Sequence, residues 1–117
     1  MYKFIFLMLL SFPAMADEWT QADATREAVY LAVDIIDWAQ TRNIARNPNK
    51  WYEQNNILGN HPSVEKVDAY FATMALAHIA ISYALPSEYR RTFQYITIGI
   101  EIGYIHHNYS MGINAKF

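Results

Sequence analysis

The run Ala69 to Leu85, AYFATMALAHIAISYAL, carries no formal charge over seventeen residues. Pro62 stands before it and Pro86 directly after it. Proline suits a first helical turn and cannot comfortably continue a helix interior. The spacing therefore predicts one helix over about 62–85. At about 1.5 Å per residue the charge-free run is about 25 Å long, the lower limit for a membrane span. Such a rod needs cover nearly all round, from other helices or from lipid. Ala69, Thr73, Ala77, Ala80 and Ala84 recur at three- and four-residue spacing, a small-residue stripe that permits close approach of another helix.

The segment before it, about residues 20–44, mixes acids into an apolar helix. Thr20 and Asp23 have the spacing of a capping box, with Asp in place of the usual Glu. At about 100° per residue Asp23, Glu27, Tyr30, Asp34, Asp37 and Thr41 fall within an arc of roughly 80°. Val29, Val33, Ile35, Ile36, Trp38 and Ala39 cover most of the remainder. The polar stripe has two readings. It faces water, or satisfies itself through Tyr30 and Thr41. Alternatively Asp34 and Asp37 face inward, binding a cation or pairing with a proton carrier such as His78; in lipid, an inward acid must be neutralised, paired or wetted.

Between these segments lies a linker, ARNPNKWYEQNNILGN, broken by Asn47-Pro48 and Gly59-Asn60. Glu53, Asn55, Asn56 and His61 suit turns and caps as well as ligands. Arg42, Arg46 and Lys50 make its start basic, while Arg90 and Arg91 place positive charge at the next connection. The charge rule for membrane topology therefore gives a divided vote.

The last segment supports two patterns. Ser87 is a candidate cap, and Gly99-x-x-x-Gly103 in a helix over 88–106 marks a close-packing face. Yet Ile96, Ile98, Ile100, Ile102 and Tyr104 alternate with Thr97, Gly99, Glu101 and Gly103, as in a strand. Tyr109 to Phe117 alternates again, like the last strand of an outer-membrane barrel. A barrel of eight strands needs most of the chain, and the first two segments do not read as strands. The expected fold is all-α, an antiparallel three-helix bundle with a short extended C-terminal tail; the alternative is α plus a C-terminal β-hairpin.

Residues 1–16 are excluded from that bundle. MYK, the apolar FIFLMLLSF and Ala14-x-Ala16 have the layout of a secretory signal peptide cleaved after Ala16. Loss of Lys3 leaves eight basic and eleven acidic side chains, a net charge of about −3 in the remaining domain, 17–117. No basic stripe points to nucleic acid. The chain has no cysteine, which excludes disulfide staples and thiolate zinc sites. Mean hydropathy is −0.06, an average that conceals two very apolar segments.

Asp37-x-x-x-Thr41 on a helix, Glu53-x-Asn55 with Leu58-Gly59 in the following loop, and two apolar segments thereafter form a recurring combination. It resembles a group of small bacterial and phage membrane proteins with about three spans, a D-x-x-x-T motif in the first and E-x-N-P after it. Asn56 stands where that pattern has proline. The resemblance covers about residues 30–108. It implies three helices at or in a membrane, with Asp37, Thr41, Glu53 and Asn55 clustered where the first helix meets the loop, and supplies no reaction.

Two functional classes follow. The first is a small exported envelope protein that binds another envelope component or a second copy, packed through Ala69, Thr73, Ala77, Ala80 and Ala84 and through Gly99 and Gly103. The second is a metal-dependent or acid–base hydrolase at the membrane, in which Asp37, Glu53, His61, His78 and Glu101 converge. Metal candidates are Asp34, Asp37, His78 and Glu101; a cofactor is otherwise not expected. His78, on an apolar helix face, reads first as a hydrogen-bonded core residue whose partner is an acid of the first helix or Glu101. His106 and His107 are adjacent and point apart on a helix. No H-E-x-x-H, G-x-S-x-G or P-loop is present.

Overall fold

The computed structural model describes residues 18–117. The expected signal peptide lies outside the described residues. Three helices follow one another: α1 (Gln21–Arg46), α2 (Val64–Ala84) and α3 (Ser87–Ser110). Among the described residues there is no strand.

α1 begins as its sequence dictates. Thr20 Oγ1 accepts from the Asp23 amide at 3.1 Å, and Asp23 Oδ2 accepts from the Thr20 amide at 2.9 Å, a complete capping box. Asn47 closes the other end, its Nδ2 donating to the Asn43 carbonyl at 2.8 Å. α2 is capped by Ser63, whose hydroxyl accepts from the Lys66 amide at 3.1 Å. Pro62 thus lies ahead of the cap instead of in the first turn, and His61 is an exposed loop residue with no cap role. α3 starts at Ser87 directly after Pro86 and has no side-chain cap.

Consecutive helices run antiparallel, so α1 and α3 are parallel. Paired residues fix these directions: Asp23 with Arg90, Glu27 with Ser82 and His78, Trp38 and Arg42 with Asp68. α1 is the central rod. α2 and α3 each lean on it and touch one another little.

The alternation in α3 does not produce a hairpin. As a helix, the segment places Arg90, Gln94, Thr97, Glu101 and Asn108 along one face, at the four- and three-residue steps that helical geometry stacks. Arg90, Gln94, Glu101 and Asn108 meet α1 and Thr97 meets His78 of α2, and a strand would scatter them to both sides. The helix runs to Ser110, four residues beyond the expected end. Gly112 then adopts φ +84°, a conformation glycine reaches without steric cost. It turns an extended tail back across α1. Ile113 is buried, Asn43 Nδ2 donates to the Asn114 carbonyl at 3.0 Å, and the Lys116 amide donates to Ala39 O at 3.2 Å. Gln40 joins the pieces: Nε2 points at the Ile105 and Ile113 carbonyls, and Oε1 accepts from Asn108 Nδ2 at 3.0 Å.

The side-chain distribution is inverted relative to a water-soluble bundle. The interior holds Asp23, Glu27, Asp34, Asp37, Gln40, Thr41, Asn43, His78, Ser82, Arg90 and Gln94. The exterior carries Val29, Ile35, Ile36, Leu76, Ile79, Ile81, Ile96, Ile100 and Ile102. Apolar packing inside is limited to a cluster of Leu58, Val67 and Phe71, backed by Trp38, Ala45 and Tyr70, and to Tyr30, Ala39, Ile44 and Ile113. The water-facing reading of the α1 stripe is therefore corrected: the stripe points inward, against α2 and α3. α2 packs through Val67, Phe71, His78 and Ser82, while Ala69 and Thr73 are exposed and Ala77, Ala80 and Ala84 half-buried. Gly99 and Gly103 are exposed, and a methyl group built on either meets nothing within 4 Å. Polar side chains on one helix reaching polar side chains on the next, in place of small-residue contact, hold this bundle together.

Candidate functional site

The polar interior divides into two clusters of opposite electrostatic character. The first lies near the start of α1. Asp23 accepts from Arg90 at 2.7 Å and from Arg26. Arg90 is fully buried and spends its fork on several carbonyls besides: Nε donates to Ser82 O at 2.6 Å, and one terminal nitrogen to Tyr83 O and Leu85 O at 3.2 and 3.0 Å. These carbonyls belong to the last turn of α2 and its cap, which have no intrahelical donors. Trp19 covers the guanidinium at 5.1 Å.

One turn further, Glu27 accepts from Ser82 Oγ at 2.9 Å and Gln94 Nε2 at 3.0 Å through Oε1. Its Oε2 lies 2.6 Å from His78 Nδ1. The other ring nitrogen, Nε2, lies 2.7 Å from Thr97 Oγ1. The Thr97 hydroxyl already donates to the Phe93 carbonyl at 2.8 Å, so it accepts from Nε2. The short Nδ1–Glu27 contact therefore holds a proton between the two groups. Tyr30 stacks on the imidazole, ring centroids 3.4 Å apart and planes within 5°. Phe93 covers the other side at 4.6 Å. Ser82, His78 and Glu27 do not form a hydrolytic relay. Ser82 and Glu27 address the same ring nitrogen, and Ser82 is sealed from solvent.

The second cluster lines a cavity of about 530 Å³ between the C-terminal half of α1, the connecting loop, the start of α2 and the later turns of α3. Asp34, Asp37 and Glu101 each direct a carboxylate oxygen to a common region, all within 4.8 Å of one another. Asp34 is 5 % exposed and Asp37 8 %. Glu53, Thr41, Asn55, Tyr30 and Asn108 also line the cavity, and no Lys, Arg or His does. Asp34 and Phe71 border a second groove as well, between α1 and α2, with Trp38 and Ala72.

The loop forms the roof through its own turn chemistry. Glu53 Oε1 accepts from the amides of Gln54 and Asn55 at 3.0 and 3.1 Å. Asn55 Oδ1 accepts from the Ile57 amide at 2.9 Å, and its Nδ2 donates to the Tyr70 hydroxyl at 2.9 Å. Gly59, at φ +83°, turns the chain so that its amide reaches Asn55 O and Glu53 N reaches Asn60 O. Leu58, 2 % exposed, anchors the roof into Val67 and Phe71.

Asp37, Thr41, Glu53 and Asn55, the four residues singled out by the resemblance, thus border one cavity. Of the proposed hydrolase set, Asp37, Glu53 and Glu101 meet there. His61 sits in a separate cleft with Lys50, Trp51 and Tyr52, and His78 belongs to the Glu27 cluster. Of the proposed metal set, Asp34, Asp37 and Glu101 converge and His78 stands apart. Arg90, Gln94 and Gln40 carry much of the interior and were not read as site residues; their spacing on the acid-facing side of α3 and α1 is the signal that identifies them.

Compared with protein-family models, curated proteins and solved structures, the chain gives no match to any of the three.

Proposed function

We propose that this chain is a small exported helical protein embedded in a cell-envelope membrane, working by binding another envelope component or a second copy of itself. The inverted side-chain distribution carries this reading: isoleucines and leucine outside, paired polar groups inside. Water-soluble monomers rarely leave so much contiguous apolar surface uncovered. In hydrocarbon the cost reverses, and polar groups retreat to an interior where they satisfy one another.

The dimensions agree. α2 has 21 residues and is the one described helix long and apolar enough to cross a membrane, with a mean hydropathy of 1.2 over its best window. At about 1.5 Å per residue it reaches about 31 Å, against a hydrocarbon core of about 30 Å. α1 and α3 are more polar: α1 carries Asp23, Glu27, Asp34 and Asp37 on its inner face, and α3 carries Arg90, Gln94 and Glu101 together with the exposed Glu88, Arg91, His106 and His107. Trp19, Tyr83 and Tyr89 stand at one end of the bundle, Trp51, Tyr52 and Tyr109 at the other, as interfacial aromatics do.

Binding is favoured over hydrolysis because His61 and His78, two members of the hydrolase set, lie outside the cavity that Asp37, Glu53 and Glu101 line. Ala69, Thr73, Gly99 and Gly103 stay outward, where a second helix can approach closely. Fractionation tests the reading. The protein remains with membranes through high-salt and alkaline washes and is released by detergent. Full recovery in a soluble periplasmic extract overturns it.

A further inference from the structure

The two acid clusters differ in one respect that chemistry does not leave neutral. Asp23 and Glu27 each have a cationic or proton-bearing partner: Arg90 and Arg26 for the first, His78 for the second. Asp37 and Glu101 face each other as a carboxyl–carboxylate hydrogen-bonded pair, Asp34 beside them makes no ion pair, and their cavity is lined by no basic side chain. Asp34 is more than nine-tenths buried, yet its carboxylate receives no hydrogen bond and makes no ion pair. Glu101 Oε2 is likewise buried without a donor. Thr41 Oγ1 gives its proton to the Asp37 main-chain carbonyl at 2.8 Å and stands 3.5 Å from Asp37 Oδ1, too far to satisfy it well. Buried carboxylates this close repel one another strongly unless a proton or a cation lies among them, and the one proton that Asp37 and Glu101 can share leaves Asp34 and a second charge unbalanced.

We infer that Asp34, Asp37 and Glu101 form a binding site for a hard divalent cation beneath the loop roof. Spacing supports it. Ligand oxygens about 2.1–2.4 Å from one ion lie at most about 4–5 Å apart, and these three fall within 4.8 Å. The donor set is all oxygen. His61 and His78 lie elsewhere and cysteine is absent from the chain, so the donor set suits magnesium, manganese or calcium and lacks the nitrogen and sulfur ligands typical of zinc and copper sites. Three protein ligands leave coordination positions for water, and a cavity of about 530 Å³ has room for several molecules. Tyr30, Thr41, Asn55 and Asn108 supply further neutral oxygen atoms along the wall. The site stands on the interior alone and does not depend on whether the exterior meets lipid.

The test uses the full processed chain, purified in detergent and stripped with EDTA. Free Mn²⁺ is followed by electron paramagnetic resonance during titration. One ion binds per chain, Ca²⁺ or Mg²⁺ displaces it, and Asp37→Asn and Glu101→Gln each weaken binding at least tenfold. Glu88→Gln, on the exposed first turn of α3, leaves it unchanged. Circular dichroism on the same samples verifies that each variant remains helical. The inference is overturned if helical wild-type protein takes up no stoichiometric Mn²⁺ or Ca²⁺ at millimolar concentration. It is equally overturned if helical Asp37→Asn and Glu101→Gln bind as wild type does. Membrane retention is scored separately, so loss of either reading is visible without the other.

Discussion

Glu27 Oε2 and His78 Nδ1 meet at 2.6 Å in a place where neither sees solvent, clamped between the Tyr30 and Phe93 rings. This pair joins the middle of α1 to the middle of α2, and through Thr97 to α3. Breaking a buried ion pair from one side costs more than the pair is worth, because the remaining group is stranded. Glu27→Ala should lower unfolding stability by about 3–5 kcal/mol, measured by denaturant titration in detergent. Glu27→Gln, which keeps acceptors for Ser82 and Gln94, should cost less.

Arg90 is not replaceable by lysine. Its planar fork reaches Asp23 and the carbonyls that close α2 at the same time, whereas an ammonium has one centre. Arg90→Lys should destabilise by about 2–4 kcal/mol, the loss of two or more charge-assisted hydrogen bonds. Thermal unfolding monitored at 222 nm checks it; a change in midpoint within error would mean the carbonyls have other donors.

The acids of the cavity behave in the opposite sense. Without a divalent ion, Asp37→Asn removes a charge from a group of like charges and should raise stability by about 1 kcal/mol or more. With saturating Mn²⁺ the order should invert, because only the wild type gains binding free energy. Paired melts in EDTA and in Mn²⁺ give both signs in one experiment.

Leu58 holds the roof. Leu58→Ala should cost about 2–4 kcal/mol, the range for truncating a buried leucine. The consequence should appear first as faster hydrogen exchange over residues 47–63, since the loop's remaining anchor is the Asn55–Tyr70 bond. Exchange in the middle of α1 should change little.

A methyl group built on Gly99 or Gly103 meets nothing within 4 Å among the described residues. Gly103→Ala should therefore stabilise α3 by up to about 1 kcal/mol, the helix-propensity difference. If the glycines receive a second copy, chemical cross-linking of that variant in membranes falls while monomer stability rises. Cross-linking that persists unchanged places the contact elsewhere.

Much of this architecture is legible in the chain. Thr20 and Asp23 announce the start of α1, the charge-free run up to Pro86 delimits α2, and the arc from Asp23 to Thr41 collects the residues that become the interior face. What one helix cannot reveal is which of its faces turns inward. The stripe of α1 fits water as well as a polar core until Arg90, Gln94, Thr97 and Glu101 are seen to repeat on α3 with the same period. The alternation of isoleucines obscured that repeat, since period-two and helical spacing both draw on Ile96 and Ile100. Small residues are ambiguous for a different reason. Ala and Gly permit close approach but do not compel it, and here hydrogen bonds determined which faces met. The loop residues are the hardest to assign, because Glu53 and Asn55 make turns and border the cavity at once.

The central position of α1 also bears on how the protein is made. Its acids emerge first during synthesis, while Arg90, which neutralises Asp23, follows more than sixty residues later. A newly made first rod on its own leaves Asp23 and Glu27 without the Arg90, Gln94 and Ser82 that later satisfy them. Its inner face is therefore completed only once the third rod is synthesised, and the three settle together as a unit rather than one after another.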